Sequence, residues 1–163
     1  MDPASLTDEI INSLLTCEKV IRSKRAKQTP KAKHKEQNLD VQSADGSQSF
    51  TLITRQSTMV ADSYSCGLLW HATASHKVML IRYNGSDHEH SNPIEGTLFD
   101  ASCHIHLATE RYISSGRKAE HYAEATTRYN DLKGAFDCLL ADCNIRWTEP
   151  PANVNDAQTN LSF

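Results

Sequence analysis

From Leu39 to about Thr109 the chain alternates apolar and polar positions, the two-residue period of strands that bury one face. In "SFTLITR" Phe50, Leu52 and Thr54 share a face. In "YSCGLLWHA" Tyr64, Cys66, Leu68 and Trp70 share one face, and Leu69 and His71 share the other. "KVMLIRY" is apolar on both faces, as a central strand is. "CHIHLATE" alternates again, and a short strand at Leu39 to Val41 precedes the set. The polar breaks "ADGSQ" and "TASHK" have hairpin length. Connections this short exclude parallel crossovers, so the strands are expected to form an antiparallel meander.

A different period flanks this region. Ile10, Leu14, Cys17 and Ile21 recur at spacings of three and four, predicting a helix from Thr7 to about Arg22 with Thr7 and Asp8 at its N-terminus. Leu132, Phe136, Leu139 and Cys143 make a second stripe, capped by Asn130 or Asp131. "HYAEATTRY", between the meander and that stripe, reads as a strand. The expected architecture is α+β: an N-terminal helix, a five- or six-stranded antiparallel sheet, and a C-terminal helix packed on one face. Along the chain this gives a helix over 1–22, a basic linker over 23–36, a single α+β domain over 37–146 and a disordered, Pro-containing tail over 147–163.

Charge sharpens the second of these boundaries. The 163 residues carry a formal net charge of -3, so bulk electrostatics do not recruit nucleic acid or anionic membrane. Yet "RSKRAKQTPKAKHKE" places seven of the 17 Lys/Arg between Arg22 and Lys35. Such a run reads as a solvated linker or as a phosphate-binding arm. No aromatic residue interleaves with its charges, so it offers no base-stacking platform. No apolar run approaches the roughly 20 residues needed to cross a bilayer. The start, "MDPASLTDEIINSLL", lacks the basic region and apolar core of a secretory signal. The five cysteines have no C-x-x-C spacing, which fits reduced thiols in a cytoplasmic protein.

Candidate chemistry lies in "NGSDHEHSNPIEGTLFDASCHIH", which holds the pairs His88/His90 and His104/His106. His104 and His106 alternate with Cys103, Ile105 and Leu107, so the histidines share one face of a strand and the apolar residues take the core side. Their ring nitrogens are expected roughly 5–8 Å apart, and Glu110 joins their face if the strand continues. Two imidazoles so placed can take a proton from a ribose 2′-hydroxyl and return one to the leaving oxygen. Arg82 or Arg111 would supply the cation for a phosphorus centre, with Arg82 expected on the side of Val78 and Leu80. Neutral histidines are equally good ligands for zinc or another transition metal, and this alternative enlists His88, His90, His104 and His106. "HEHSNPIE" also matches the His-x-His-x4-Glu of cupins through His88, His90 and Glu95, but the second cupin motif is absent. The loop holding His88 and His90 is polar throughout, which ranks that pair second. Asn84-Gly85 reads as a turn, with Gly85 supplying positive φ.

The stretch "LIRYNG…HIHLATERYISSGRKAEHYAEATTRYNDLKGAFDCLLADCNI" resembles a family of small, uncharacterised bacterial and phage-borne proteins. The elements that carry the resemblance are Arg82, Asn84 and Gly85; His104 and His106; Ala108, Thr109 and Glu110; Tyr129; and Asn144 with Ile145. A looser similarity links the His-rich loop to RNA-targeting toxins of toxin–antitoxin modules. The reading carried forward is a cytoplasmic protein acting on nucleic acid, a metal-independent endoribonuclease of toxin type that uses His104, His106, Arg82 and Glu110, with RNA and a small antitoxin-like protein as partners and no cofactor. The alternatives are a non-enzymatic interaction module of a phage or mobile element, and a His-ligated metal-binding protein.

Overall fold

The computed structural model describes residues 5–22, 27–30 and 33–147. Helix α1 (Asp8–Thr16) leads into strands β1 (Lys19–Ile21), β2 (Lys27–Pro30), β3 (His34–Ser43), β4 (Ser49–Ser57), β5 (Tyr64–His71) and β6 (Lys77–Asn84). A small hairpin of β7 (His90–Asn92) and β8 (Thr97–Phe99) follows, then β9 (His104–Leu107), α2 (Glu110–Ser114), β10 (Tyr122–Ala125), α3 (Leu132–Asp142) and β11 (Ile145–Trp147). Among the described residues nine strands form the main sheet, in the order β10-β9-β6-β5-β4-β3-β1-β11, with β2 also paired to β3. The pairing is antiparallel except between β1 and β11.

The α+β class and the covering C-terminal helix agree with the hydrophobic pattern, and α3 begins at an Asp131 cap that accepts from Gly134 N–H at 2.7 Å. Phe50, Leu52, Leu68 and Leu80 meet Phe136 and Leu139 of α3 and Ile11 and Leu14 of α1 in one core. Asn144 takes a left-handed φ of 50°, ends the helix and turns the chain into β11, which gives the Asn-Ile at this point a structural role.

Several boundaries differ from the sequence expectation. The first helix stops at Thr16 rather than Arg22, because Lys19, Val20 and Ile21 are all buried in a strand between β3 and β11. A short apolar run does not declare its own period, and here sheet pairing wins. Residues Lys27–Pro30 and His34–Glu36, assigned to a linker, pair within the sheet, and β3 starts at His34 rather than Leu39. Of the expected tail, Trp147 closes β11; residues 148–163 lie outside the described residues. No helix among the described residues is long and apolar enough to cross a membrane.

Lys19 stabilises the junction of helices and sheet. It is fully buried, and its ammonium donates to the carbonyls of Leu15 (2.8 Å), Cys17 (2.8 Å) and Cys143 (3.0 Å). These acceptors end α1 and α3, where unpaired carbonyls collect and a cation is favoured. Lys19→Met keeps the apolar stem and orphans three carbonyls. We expect a loss of about 3 kcal/mol, read as a lower urea midpoint with an unchanged slope. An unshifted midpoint would show that water replaces the ammonium.

Candidate metal centre

One face of the sheet packs on the helices. The opposite face carries two rows of cross-strand partners. The first runs Asn38, Ile53, Gly67, Arg82, His106, Ala123; the second runs Glu36, Arg55, Ser65, Asn84, His104, Ala125. Residues directly opposite one another project to the same side, so Arg82 and Asn84 share the face of His106 and His104. The expected placement of Arg82 beside Val78 and Leu80 is therefore corrected. The register between β5 and β6 shifts at Leu68/Leu69, leaving an extra residue in β6 and inverting the alternation beyond it.

His104 and His106 are buried, with ring centroids 4.9 Å apart. Cys103, Ile105 and Leu107 do pack toward the core as their alternation predicts. The histidine side is not left open, however, because the β7–β8 hairpin folds over it. Asn92 anchors that hairpin: its side-chain amide donates to Ala123 C=O (2.8 Å) and accepts from Ala123 N–H (2.9 Å), closing the outer edge of β10 as a neighbouring strand would. Glu95 adds two ties, accepting from Tyr112 Oη at 2.7 Å and pairing with Arg111 at 2.8 Å. The loop that looked unsupported is thus held at three points, and it delivers His90 to the other two rings. The His90 centroid lies 5.4 Å from that of His104 and 4.7 Å from that of His106.

His90, His104 and His106 each offer a ligand nitrogen, and these three atoms lie within 4.8 Å of one another. Their hydrogen bonds assign the tautomers. His104 Nδ1–H donates to Ser102 C=O at 2.8 Å, and His106 Nδ1–H donates to Glu120 C=O at 3.0 Å. His90 Nε2–H donates to His121 C=O and to Asn92 Oδ1, both at 3.1 Å. Each ring therefore spends its proton on a carbonyl and keeps a lone pair on the other nitrogen, the outer-shell arrangement that orients metal-ligating histidines. Among the described residues, His106 Nε2 is buried with no hydrogen-bond partner. His104 Nε2 receives a long bond from the Asn84 amide at 3.3 Å. Burial lowers the pKa of all three rings; for His106, burial and then the Arg82 charge push it down to about 2.

A family of unknown function, DUF6978, matches residues 6–145. The chain belongs to that family. No curated protein and no solved structure matches the chain. The family match spans α1 through the first residue of β11, so the hairpin and all three histidines lie within this DUF6978 region.

The remaining candidates fall elsewhere. His88 approaches the cluster, its centroid 5.0 Å from that of His104, but its Nδ1 is bound to Asp87 at 2.7 Å. Glu110 does not join the histidine face, because β9 ends at Leu107 and Glu110 opens α2. There it exchanges hydrogen bonds with Asp8, its N–H donating to Asp8 Oδ1 at 2.8 Å and its carboxylate accepting from Asp8 N–H at 3.3 Å. Glu95, the cupin-like carboxylate, is taken up by Tyr112 and Arg111. Asn84 is a buried strand residue rather than a turn. Gly85 lacks positive φ; it is glycine because a Cβ there would sit 1.9 Å from the Asp62 carbonyl oxygen. Asn92 and the carbonyls of Ser102, Glu120 and His121 escaped the sequence reading. The one available signal was the i, i+2 spacing of His90 and Asn92, which puts both on one side of a short strand.

Proposed function

We propose that this protein binds a transition-metal ion, zinc foremost, through His90, His104 and His106, with a fourth coordination position left for water or substrate. The observation that carries the reading is the convergence of three neutral imidazoles whose protons are all spent on carbonyls. Two buried rings and one half-buried ring bring their lone pairs within 4.8 Å of one another. Such lone pairs repel unless a cation or a donor lies between them, and a divalent metal satisfies all three. Three protein ligands with an open site is the arrangement that generates a metal-bound hydroxide near neutral pH, so hydrolysis is the reaction class proposed.

A metal-independent acid–base pair of His104 and His106 has less support. It needs one ring protonated near pH 7, and burial disfavours the imidazolium at both.

Metal analysis of freshly purified protein, followed by zinc titration after chelator treatment, tests the proposal. We expect one equivalent per chain. At a hundredfold excess over Kd the unfolding midpoint should rise by about 5–10 °C. Substoichiometric metal together with an unmoved midpoint would refute it.

A further inference from the structure

Beside the histidine cluster the same face opens into a cleft of about 500 Å³. Its existence follows from the small residue at the centre of the second cross-strand row, where Ser65 stands between Arg55 and Asn84. Among the described lining residues, Lys33, Arg55 and Arg82 supply three cations, against one carboxylate, Asp87, which is already engaged by His88. Arg55 is half-exposed and bonds Glu36 through Nε at 2.8 Å. Arg82 is the unusual member. Among the described residues its guanidinium makes no ion pair, although Glu120 acts on it from nearby, and its Nε is buried without a partner. A half-buried guanidinium that pairs with no carboxylate is costly unless an anion lies close to it.

We propose that this cleft binds the phosphoryl group of a phosphate ester and holds it against the metal centre; as the substrate class of that centre, this rests on the metal-binding reading. Two guanidiniums and an ammonium suit a multiply charged oxyanion better than a single carboxylate. Tyr64 is the one phenol or indole-type ring among the described lining residues, so the recognised feature is the phosphate rather than a stacked base. Arg82 and Asn84 are the cross-strand partners of His106 and His104, which places the anion next to the proposed metal. Hydrolysis there joins a water oxygen to phosphorus, breaks the ester P–O bond and moves one water proton to the leaving oxygen. No redox partner is required. Lys33 and His34 also give part of the basic run a role: its end is folded into the cleft wall.

The test is binding of inorganic phosphate to chelator-treated full-length protein at low salt, followed by calorimetry. Working without metal separates the cleft from the centre, so a failed metal assignment does not decide this result. Saturable binding is expected, at least tenfold weaker in Arg55→Met and in Arg82→Met, and partly retained in Arg82→Lys. If Arg82→Met fails to fold, the half-exposed Arg55→Met carries the comparison. Displacement by a small phosphomonoester assigns the site to a terminal phosphate, whereas displacement by an oligonucleotide with hydroxyl ends assigns it to a nucleic-acid backbone; either upholds the phosphoryl site. No saturable binding, or equal binding by all variants, would overturn it.

Discussion

His90→Ala, His104→Ala and His106→Ala are each expected to cut zinc affinity by about a hundredfold or more. Loss of an outer-shell partner alone typically costs ten- to a hundredfold, and these residues are the ligands themselves. The three ligand nitrogens lie within 4.8 Å of one another, so their effects should be equal in kind. His88→Ala should retain zinc within a few-fold, because His88 is turned to Asp87. This grouping differs from the one the sequence suggested, where His90 belonged with His88. Competition titration against a chromogenic chelator measures it. A His90→Ala protein that keeps wild-type affinity would remove the hairpin from the site. Asn92→Ala should weaken zinc less than a ligand change, since it frees the hairpin without deleting a donor.

Acidifying chelator-treated protein from pH 7.5 to pH 5 is expected to lower its stability by about 2 kcal/mol through His106 alone. In the unfolded chain that imidazole titrates near 6.5, whereas in the fold burial and Arg82 push it down to about 2. Below pH 6.5 the unfolded state therefore binds a proton that the folded state refuses. Stability is complete above pH 6.5 and is lost progressively as pH falls toward the folded value. His104 and His90 are lowered too and add to the same slope. Asp87 and Asp142, whose pKa values are lowered, titrate below the ordinary carboxylate range, so the interval from 6.5 to 5 isolates the imidazoles. Urea midpoints across this interval measure the slope, and His106→Asn should reduce it, leaving the share of His104 and His90. A wild-type midpoint independent of pH would mean that the rings are solvated.

The alternation of Phe50, Leu52 and Thr54 and of Tyr64, Cys66, Leu68 and Trp70 was enough to place β4 and β5 and their buried faces, because side-chain period and burial coincide in a strand with one wet side. The Asp131 cap and the stripe through Phe136 and Leu139 likewise located α3. The same local pattern placed His104 and His106 side by side and opposite Ile105 and Leu107. What lay beyond local pattern depended on partners distant in the chain. Lys19–Ile21 became a strand because β3 and β11 flank it, the latter more than 120 residues away. A single bulge between β5 and β6 reversed the side taken by Arg82, and periodicity carries no trace of a bulge before the strands are paired. Gly85 is set by the approach of Asp62, not by its own backbone angles. The histidine site belongs to this second class. His90 entered it through Asn92 bonding the edge of β10, 31 residues on, and through Tyr112 and Arg111 holding Glu95. The sequence by itself determined the imidazoles and the strand that orients two of them. Tertiary contact alone decided that a third would close over them, because a polar loop is held by specific long-range hydrogen bonds that no hydrophobic period records.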